Sequence, residues 1–570
     1  MKKNWVIALL LLMIAQNIFA QWDGNASSVN NPVSNAPLAE RTVFSVTDNA
    51  GGAILAWLAF DFNTNTEYIY AQRKTATGAV SWSTAANPLE VFSTASGVFP
   101  DIGDVVADGN GGAYITWVDY DTDTASNIYL QRISSSGAKL FPLPGIKINP
   151  SPIHRYTSPK ICVDAAGIIV CWRDALRDGN TLIDTAAQLF CQRYNTAGSP
   201  LWAAGGVQVS TVASVKAIAA IVSDGSNGVL TCFTDTRNSG LDINGIFDNV
   251  DIYAQRLSST GARLWGATDA LVTNSLFNQF MLEDHEATTA MISDGAGGFI
   301  LVYNDRSSDN YGAGNLYAQR LSGTGIRLWP TGGVLPGNIN SLYKVKVKLE
   351  SDGTNGMVVT WNENDFQVPA GGIYAQHITS AGTKAWGTAG VIATGSLTPA
   401  NVNSTMTADG LGNYVIAWAN YDNVSGLSTI KGQKINGNGA LQWAVGGVNI
   451  CTNPLSYADE ANIVRSTGGA MLVAWVDSRN GSTSRSDIYS AKLEPDGSLT
   501  SSTSTNYITI ANGNWNSASS WTGNAVPPAG ANVIIRHNII GNVNTSCNSL
   551  RVESPGTLTV NTGITVALLQ

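Results

Sequence analysis

Charge is scarce in this sequence. Asp, Glu, Lys and Arg make up 13% of 570 residues, against roughly 25% in an average globular chain. What charge there is leans acidic, with a formal net of −9. A nucleic-acid binder needs a basic face, so that class is excluded. Cysteine is also sparse, and six in a chain of this length do not make a disulfide framework. Cys162, Cys171, Cys191 and Cys232 lie close together, with Cys451 and Cys547 far away. Cys171 and Cys232 stand where other repeats carry Ala56, Ala417 and Ala474, and so read as small buried apolar residues. A bridge within the third repeat is the alternative in an oxidising compartment. The spacings do not resemble a zinc site.

Long apolar runs are absent beyond the N-terminus. Met1-Lys2-Lys3 is a basic start, Trp5 to Ala15 is apolar, and Ile18-Phe19-Ala20 puts a small residue before Gln21. This is the layout of a secretory signal peptide over residues 1–20, and no membrane span is expected after its cleavage. Glycine, by contrast, is abundant at 58 residues, and the 44% apolar share is enough for a core. Low charge with high Gly fits many short strands and tight turns.

A pattern recurs eight times. An apolar alternating stretch ends in Asp, and a Gly-rich turn, an apolar run and an aromatic follow. Those aromatics are Trp57, Trp117, Trp172, Phe233, Tyr303, Trp361, Trp418 and Trp475. After a polar loop comes Ile-Tyr-Ala-Gln-Arg or a variant, with Gln72, Gln131, Gln192, Gln255, Gln319, Gln376 and Gln433 as anchors. A Ser/Thr-rich turn with Gly leads to a closing aromatic, Trp82, Phe141, Trp202, Trp265, Trp329, Trp386 or Trp443. Period-two alternation and turn residues give four strands per unit. The expected fold is all-β, an eight-bladed β-propeller with four-stranded blades over residues 21–505; a solenoid is the competing architecture. The last repeat lacks its closing Trp, while Gln21-Trp22 to Pro32 resembles a displaced outer strand. Residues 21–32 are therefore expected to complete the eighth blade. Residues 506–570 change character, and short apolar triplets such as Leu550-Arg551-Val552 and Leu558-Thr559-Val560 suit a small C-terminal β-helix-like module, with a β-sandwich as alternative. Truncation of a longer protein is expected from the uncapped end.

The repeat Asp-x-x-Gly-Gly…Trp…Ile-Tyr-Ala-Gln-Arg…Gly…Trp resembles the propeller repeats of large secreted bacterial surface proteins. The tail from Gly513-Asn514-Trp515 looks like the opening of β-helix modules found in similar proteins. The resemblance implies an extracellular or cell-surface location and no particular chemistry.

A catalytic residue is needed once, not eight times. The recurring Gln, aromatics, turn Asp and strand-three Arg are accordingly read as structural. The loops between second and third strands vary most and share one face with the blade-to-blade connections, which selects that face for binding. Its richest cluster spans blades three to five. It comprises His154, Arg155, Arg173 and Asp174 in blade three, Asp235, Arg237 and Asp242 in blade four, and Phe280, His285, Asp305 and Arg306 around blade five. Carboxylates, Arg and aromatics suit a glycan or a protein ligand; solvated loops with local ion pairs are the bland alternative. Alternating Asp119, Asp121 and Asp123 with Asn127 raise calcium as the one cofactor considered, against ordinary Asx-turn chemistry, and Asp61, Asn63, Asn65 and Glu67 alternate likewise in blade one. No Gly-x-Ser-x-Gly elbow, His-Glu-x-x-His or phosphate loop is present. The expected function is a secreted or surface binding scaffold, monomeric, with a polysaccharide hydrolase or lyase acting on the same face as the alternative.

Overall fold

The computed structural model describes residue 22 and residues 30–568, except 96–98, 121–124, 149–153, 165–166, 178–183, 240–248, 274–278, 281–290, 306–313, 339–342, 365–371, 396–400, 423–424, 454, 456, 480–485, 501–506, 522–524, 528–530 and 553–554. The expected signal peptide lies outside these residues. The chain divides into two compact units, residues 23–500 and residues 501–570 with 1–22.

The larger unit is a ring of eight four-stranded antiparallel sheets. Blade one runs Ala39–Thr47, Ala53–Asp61, Thr66–Lys74 and Leu89–Ala95 from the axis outward. The first strands of successive blades pack side by side around the axis: Asp101–Ala107, Arg155–Asp164, Lys216–Ser223, Met291–Ser293, Tyr343–Ser351, Asn401–Ala408 and Ala458–Arg465, with the last meeting Ala39–Thr47 again. Second strands are buried on both faces because each blade is covered by its neighbours, so Ala53–Asp61 is apolar nearly end to end. Ile54, Ala56, Leu58 and Ile69 of blade one, for example, pack with Ile102, Ile115 and Trp117 of blade two. The inner strands break register near the loop end, as between Arg41 and Phe44, and Thr42 adopts a φ of 54° there. Such bulges bend a strand and raise its local twist.

The recurring residues hold this ring together. Asp48 Oδ1 accepts the backbone N–H groups of Ala50 and Gly52, each at 2.7 Å, which closes the first turn. Its Oδ2 takes Arg73 at 2.8 Å. The same bridge recurs from blade two to blade five, and His377 and Lys434 replace the Arg in blades six and seven. Each strand-three Gln is buried. Gln319 Oε1 accepts from the backbone of Arg320 and Trp329, and Nε2 donates to Pro330 O at 2.8 Å, tying strand three to the outgoing chain. The closing Trp then reaches out of its own blade. Trp329 Nε1 donates to Ser380 O at 3.0 Å, and Arg320 Nη1 uses the same carbonyl at 3.2 Å. Trp82 with Arg73 meets Ser135 O in the same way, and Trp265 with Arg256 meets Gly323 O. The accepting turn must bring its backbone close to the indole: a Cβ on Gly382 (φ 78°) would lie 2.9 Å from Trp329.

Blade eight turns its chain back against Lys492 and Leu493 through Leu499 and Thr500 but carries no closing Trp. Its outer strand is Asn31–Ser34, which pairs antiparallel with Asp487–Leu493 through Asn31↔Ser490 and Pro32↔Tyr489. Among the described residues of the expected 21–32 segment, Asn31 and Pro32 make this pairing, and residues 21 and 23–29 lie outside the described residues. Arg479 fixes the seam, donating to Asn30 Oδ1 at 3.0 Å and to Cys451 Sγ at 3.1 Å while stacking on Tyr489.

One expectation is corrected. Cys171 is not a free apolar residue but is disulfide-bonded to Cys191. The second and third strands of blade three place the two residues directly opposite each other. Cys162, Cys232, Cys451 and Cys547 are not disulfide-bonded.

In the smaller unit, successive strands alternate between two sheets, and the strand pairings among the described residues are parallel, with one antiparallel bridge between Thr509 and Trp521. Tyr507, Val533 and Leu550 align across rungs. Trp515, Trp521, Val533, Ile535 and Ile539 fill its core.

Candidate functional site

The loop end of blade three brings four of the sequence-selected residues together. Its first two strands set Tyr156 opposite Asp174 and Thr157 opposite Arg173. His154 then lies against Asp174, Nδ1 to Oδ1 at 2.7 Å, with its ring over Tyr156. Burial pushes the Asp174 carboxyl up, opposed by His154. The Arg155 guanidinium sits over the Tyr120 ring at 5.7 Å. Arg173 Nε donates to Lys216 O at 2.9 Å, which links this cluster to blade four.

Blade four carries a buried ionic network. Arg237 lies between Asp235 (2.7 Å) and Asp269 (2.8 Å), with its guanidinium 3.6 Å from the centre of the Tyr253 ring. Lys216 Nζ is 3.7 Å from Asp235. Burial alone would raise the Asp235 pKa, but the bonds from Arg237 and Ser214 and the Lys216 charge outweigh it and hold the carboxyl below its ordinary value. Blade eight repeats the arrangement. Arg479 bridges to Asp477 over Tyr489, and Arg479 N donates to Asp477 Oδ1 as Arg237 N does to Asp235 Oδ1. An arrangement built twice braces its loop in both places.

Asp305 is buried, with its backbone opposite Gln279 and Asn315. The backbone of Phe280 pairs with Asn304. Asp242, His285 and Arg306 lie outside the described residues. Of the calcium candidates, Asp119 and Asn127 face each other across a strand pair, and Asp121 and Asp123 lie outside the described residues. In blade one, Asp61 is engaged locally: Oδ1 accepts from Asn63 N at 2.8 Å and Oδ2 from Thr64 Oγ1 at 2.9 Å. Among the described residues no group of three His, Cys, Asp or Glu is placed to hold a metal.

Two cavities lie elsewhere, along the ring axis. One, of ≈ 270 Å³, is lined by inner-strand residues including Ser45, Asp104, Lys160, Lys348, Glu350 and Asn462. The other, of ≈ 430 Å³, opens at the end bearing the first turns of the blades and is lined by Thr47, Asn49, Glu350, Thr407, Arg465 and Thr467 among others. Glu350 belongs to both. Reading for variable loops missed these residues because they sit in the most regular strands. The available signal was departure from the repeat at fixed positions.

No protein-family model matches the chain, and no curated protein does. Among solved structures, a protein from Dyadobacter fermentans described as of unknown function is 10% identical over 60% of this chain and 96% of its own, with a TM-score of 0.30. An endo-arabinase from Bacteroides thetaiotaomicron is 12% identical over 51% of this chain and 98% of its own (TM-score 0.24). A post-proline cleaving enzyme from Rickettsia typhi is 10% identical over 78% of this chain and 58% of its own (TM-score 0.40). Likenesses this distant carry no functional conclusion. The protein is an eight-bladed β-propeller by its own sheet topology.

Proposed function

We propose that this chain is an exported, surface-associated binding propeller. Its loop face recognises a glycan or a protein through His154, Arg155, Arg173 and Asp174 of blade three. The observation that carries the reading is the His154–Asp174 pair. The His154 side chain is 31% exposed, and one ring nitrogen is committed to a carboxylate 2.7 Å away. A ring oriented in this way presents its other nitrogen to a ligand. Asp174 and Asp235 are each engaged by a cationic or imidazole group. That favours recognition over cleavage by two carboxylates, which needs one acid and one base left available. The basic-then-apolar start of the sequence and the disulfide support export.

The test is a glycan array and matched polysaccharide-turnover assays on the full chain, its His154→Ala form and its Asp174→Asn form. Binding by the parent that both variants lose, without turnover, is the expected result. Release of reducing ends would favour the hydrolase or lyase reading. Binding that survives both substitutions would overturn the site. Melting the same protein with calcium and with chelator tests the Asp119, Asp121, Asp123 and Asn127 loop; an unchanged midpoint would remove calcium.

A further inference from the structure

Eight copies of one blade give an internal control. At the position two residues before the first-turn Asp (Ser466 in blade eight), six blades carry Val46, Val106, Cys162, Val222, Ile292 and Val464, and blade seven carries Thr407. Blade six carries Glu350 there. At the next position, other blades carry small or neutral residues such as Thr47, Ala107, Ser223, Ser293 and Ala408, whereas blade eight carries Arg465. Its turn also has Ser466 in place of the recurring Asp. These two departures are far apart in sequence. The ring nevertheless brings them to the wall of one cavity of ≈ 430 Å³, a volume within the roughly 300–1,000 Å³ of small-molecule sites.

Glu350 is not there to stabilise the ring. Its carboxyl is desolvated and raised in pKa despite hydrogen bonds from Thr407 and the Ala408 backbone and the nearby charge of Arg465. Half-burying a carboxyl where sister blades carry a half-buried apolar side chain is unfavourable for folding. Residues kept at such expense cluster at functional sites. The carboxyl and the guanidinium cancel in net charge, so the cup has no electrostatic preference for an ion of either sign. Around them Thr47, Thr407, Thr467 and Asn49 supply neutral donors and acceptors.

We propose that this axial cup is a second ligand site, at the opposite end of the ring from the variable loops, for a small neutral polyhydroxylated molecule of the sugar type held by Glu350 and Arg465. A carboxyl accepts from, and a guanidinium donates to, adjacent hydroxyl groups, and the hydroxyl-bearing rim completes the shell.

The experiment is saturation-transfer NMR on the full chain with D-glucose, D-galactose and cellobiose, and with zwitterionic glycine and anionic acetate as ionic probes. Glu350→Val and Arg465→Ser install what sister blades carry, so both variants keep the repeat. Sugar affinity should fall at least about tenfold in each, the loss expected for a hydrogen bond to a charged group. The melting midpoint of Glu350→Val should equal or exceed that of the parent. His154→Ala should leave this binding unchanged, which separates it from the loop-face site. Four results would overturn the proposal: no sugar signal from the parent, glycine or acetate binding in place of sugars, binding kept in both variants, or a Glu350→Val protein that melts below the parent.

Discussion

Glu40 and Lys74, both of blade one and both buried, hold the strand that closes the ring. Glu40 shares a hydrogen bond with Ser34 and accepts from Trp57 Nε1 at 2.9 Å and Ile488 N at 3.1 Å. Desolvation, with Asp487 nearby, pushes its carboxyl up to about 8. Lys74 Nζ donates to Pro32 O at 3.1 Å, and burial pulls its ammonium down to about 7. The folded protein keeps the Glu40 proton that the unfolded chain gives up above its ordinary 4.5, so this group's contribution falls as pH rises from there to about 8. For Lys74 the sign reverses. The unfolded chain holds a proton up to 10.5 that the folded one releases at about 7, so stability rises across that interval. Urea midpoints at about pH 5, 7.5 and 10 should pass through a minimum. Glu40→Gln should abolish the falling limb and Lys74→Met the rising one; a variant that keeps the slope of the parent would contradict the assignment. Of the residues, those that repeat were legible because recurrence itself marked Gln319, Trp329 and Arg320 as structural. Glu350 and Arg465 were not, since each alone is an ordinary charge in an alternating strand, and only the curvature of the ring across blade seven brings them to one cavity.

At the scale of the strand, register carries information that composition hides. Cys171 stands where Ala56 stands, and Cys191 where Ala71, Ala254 and Ala318 stand, so both positions read as merely small. The pairing of blade three sets them face to face and makes the bridge. Closing a loop of 20 residues' separation should stabilise the fold by about 3 kcal/mol on chain entropy. The Cys171→Ala/Cys191→Ala protein should lose that amount in denaturant unfolding, and reductant should bring the parent to the same midpoint. Equal stability of the two proteins would show that the sheet alone holds these strands. Strand count and order were legible from the period of the sequence. The outer strands were the hardest elements to bound: blade two's spans only Ile146–Lys147, and blade five's reduces to the Ala318–Val334 bridge.

For the whole molecule, the hooks between blades all point the same way, from each closing Trp to the turn of the following blade. Blade eight lacks its own closing Trp and depends on Asn31–Ser34 for its outer strand. A protein lacking residues up to Ser34 would expose the Asp487–Leu493 edge, and unpaired edges recruit other strands. Size-exclusion chromatography should show it self-associating, with a lowered melting midpoint; a monomer melting with the parent would mean that the strand is dispensable. The ring was legible because eight equal units imply closure. The ligand was not, because the residues that vary do so on loops and channel walls, where sequence alone does not say which of them meet.

The seam has a further consequence, for the order of events in making the protein. Asn31 leaves the ribosome long before its partner Ser490, from which it is separated by 459 positions. Seven blades can assemble from neighbouring segments as they emerge, but the outer strand of the eighth must wait for Asp487–Leu493. Until that strand emerges, Asn31–Ser34 has no partner of its own, and the ring stays open at this one seam.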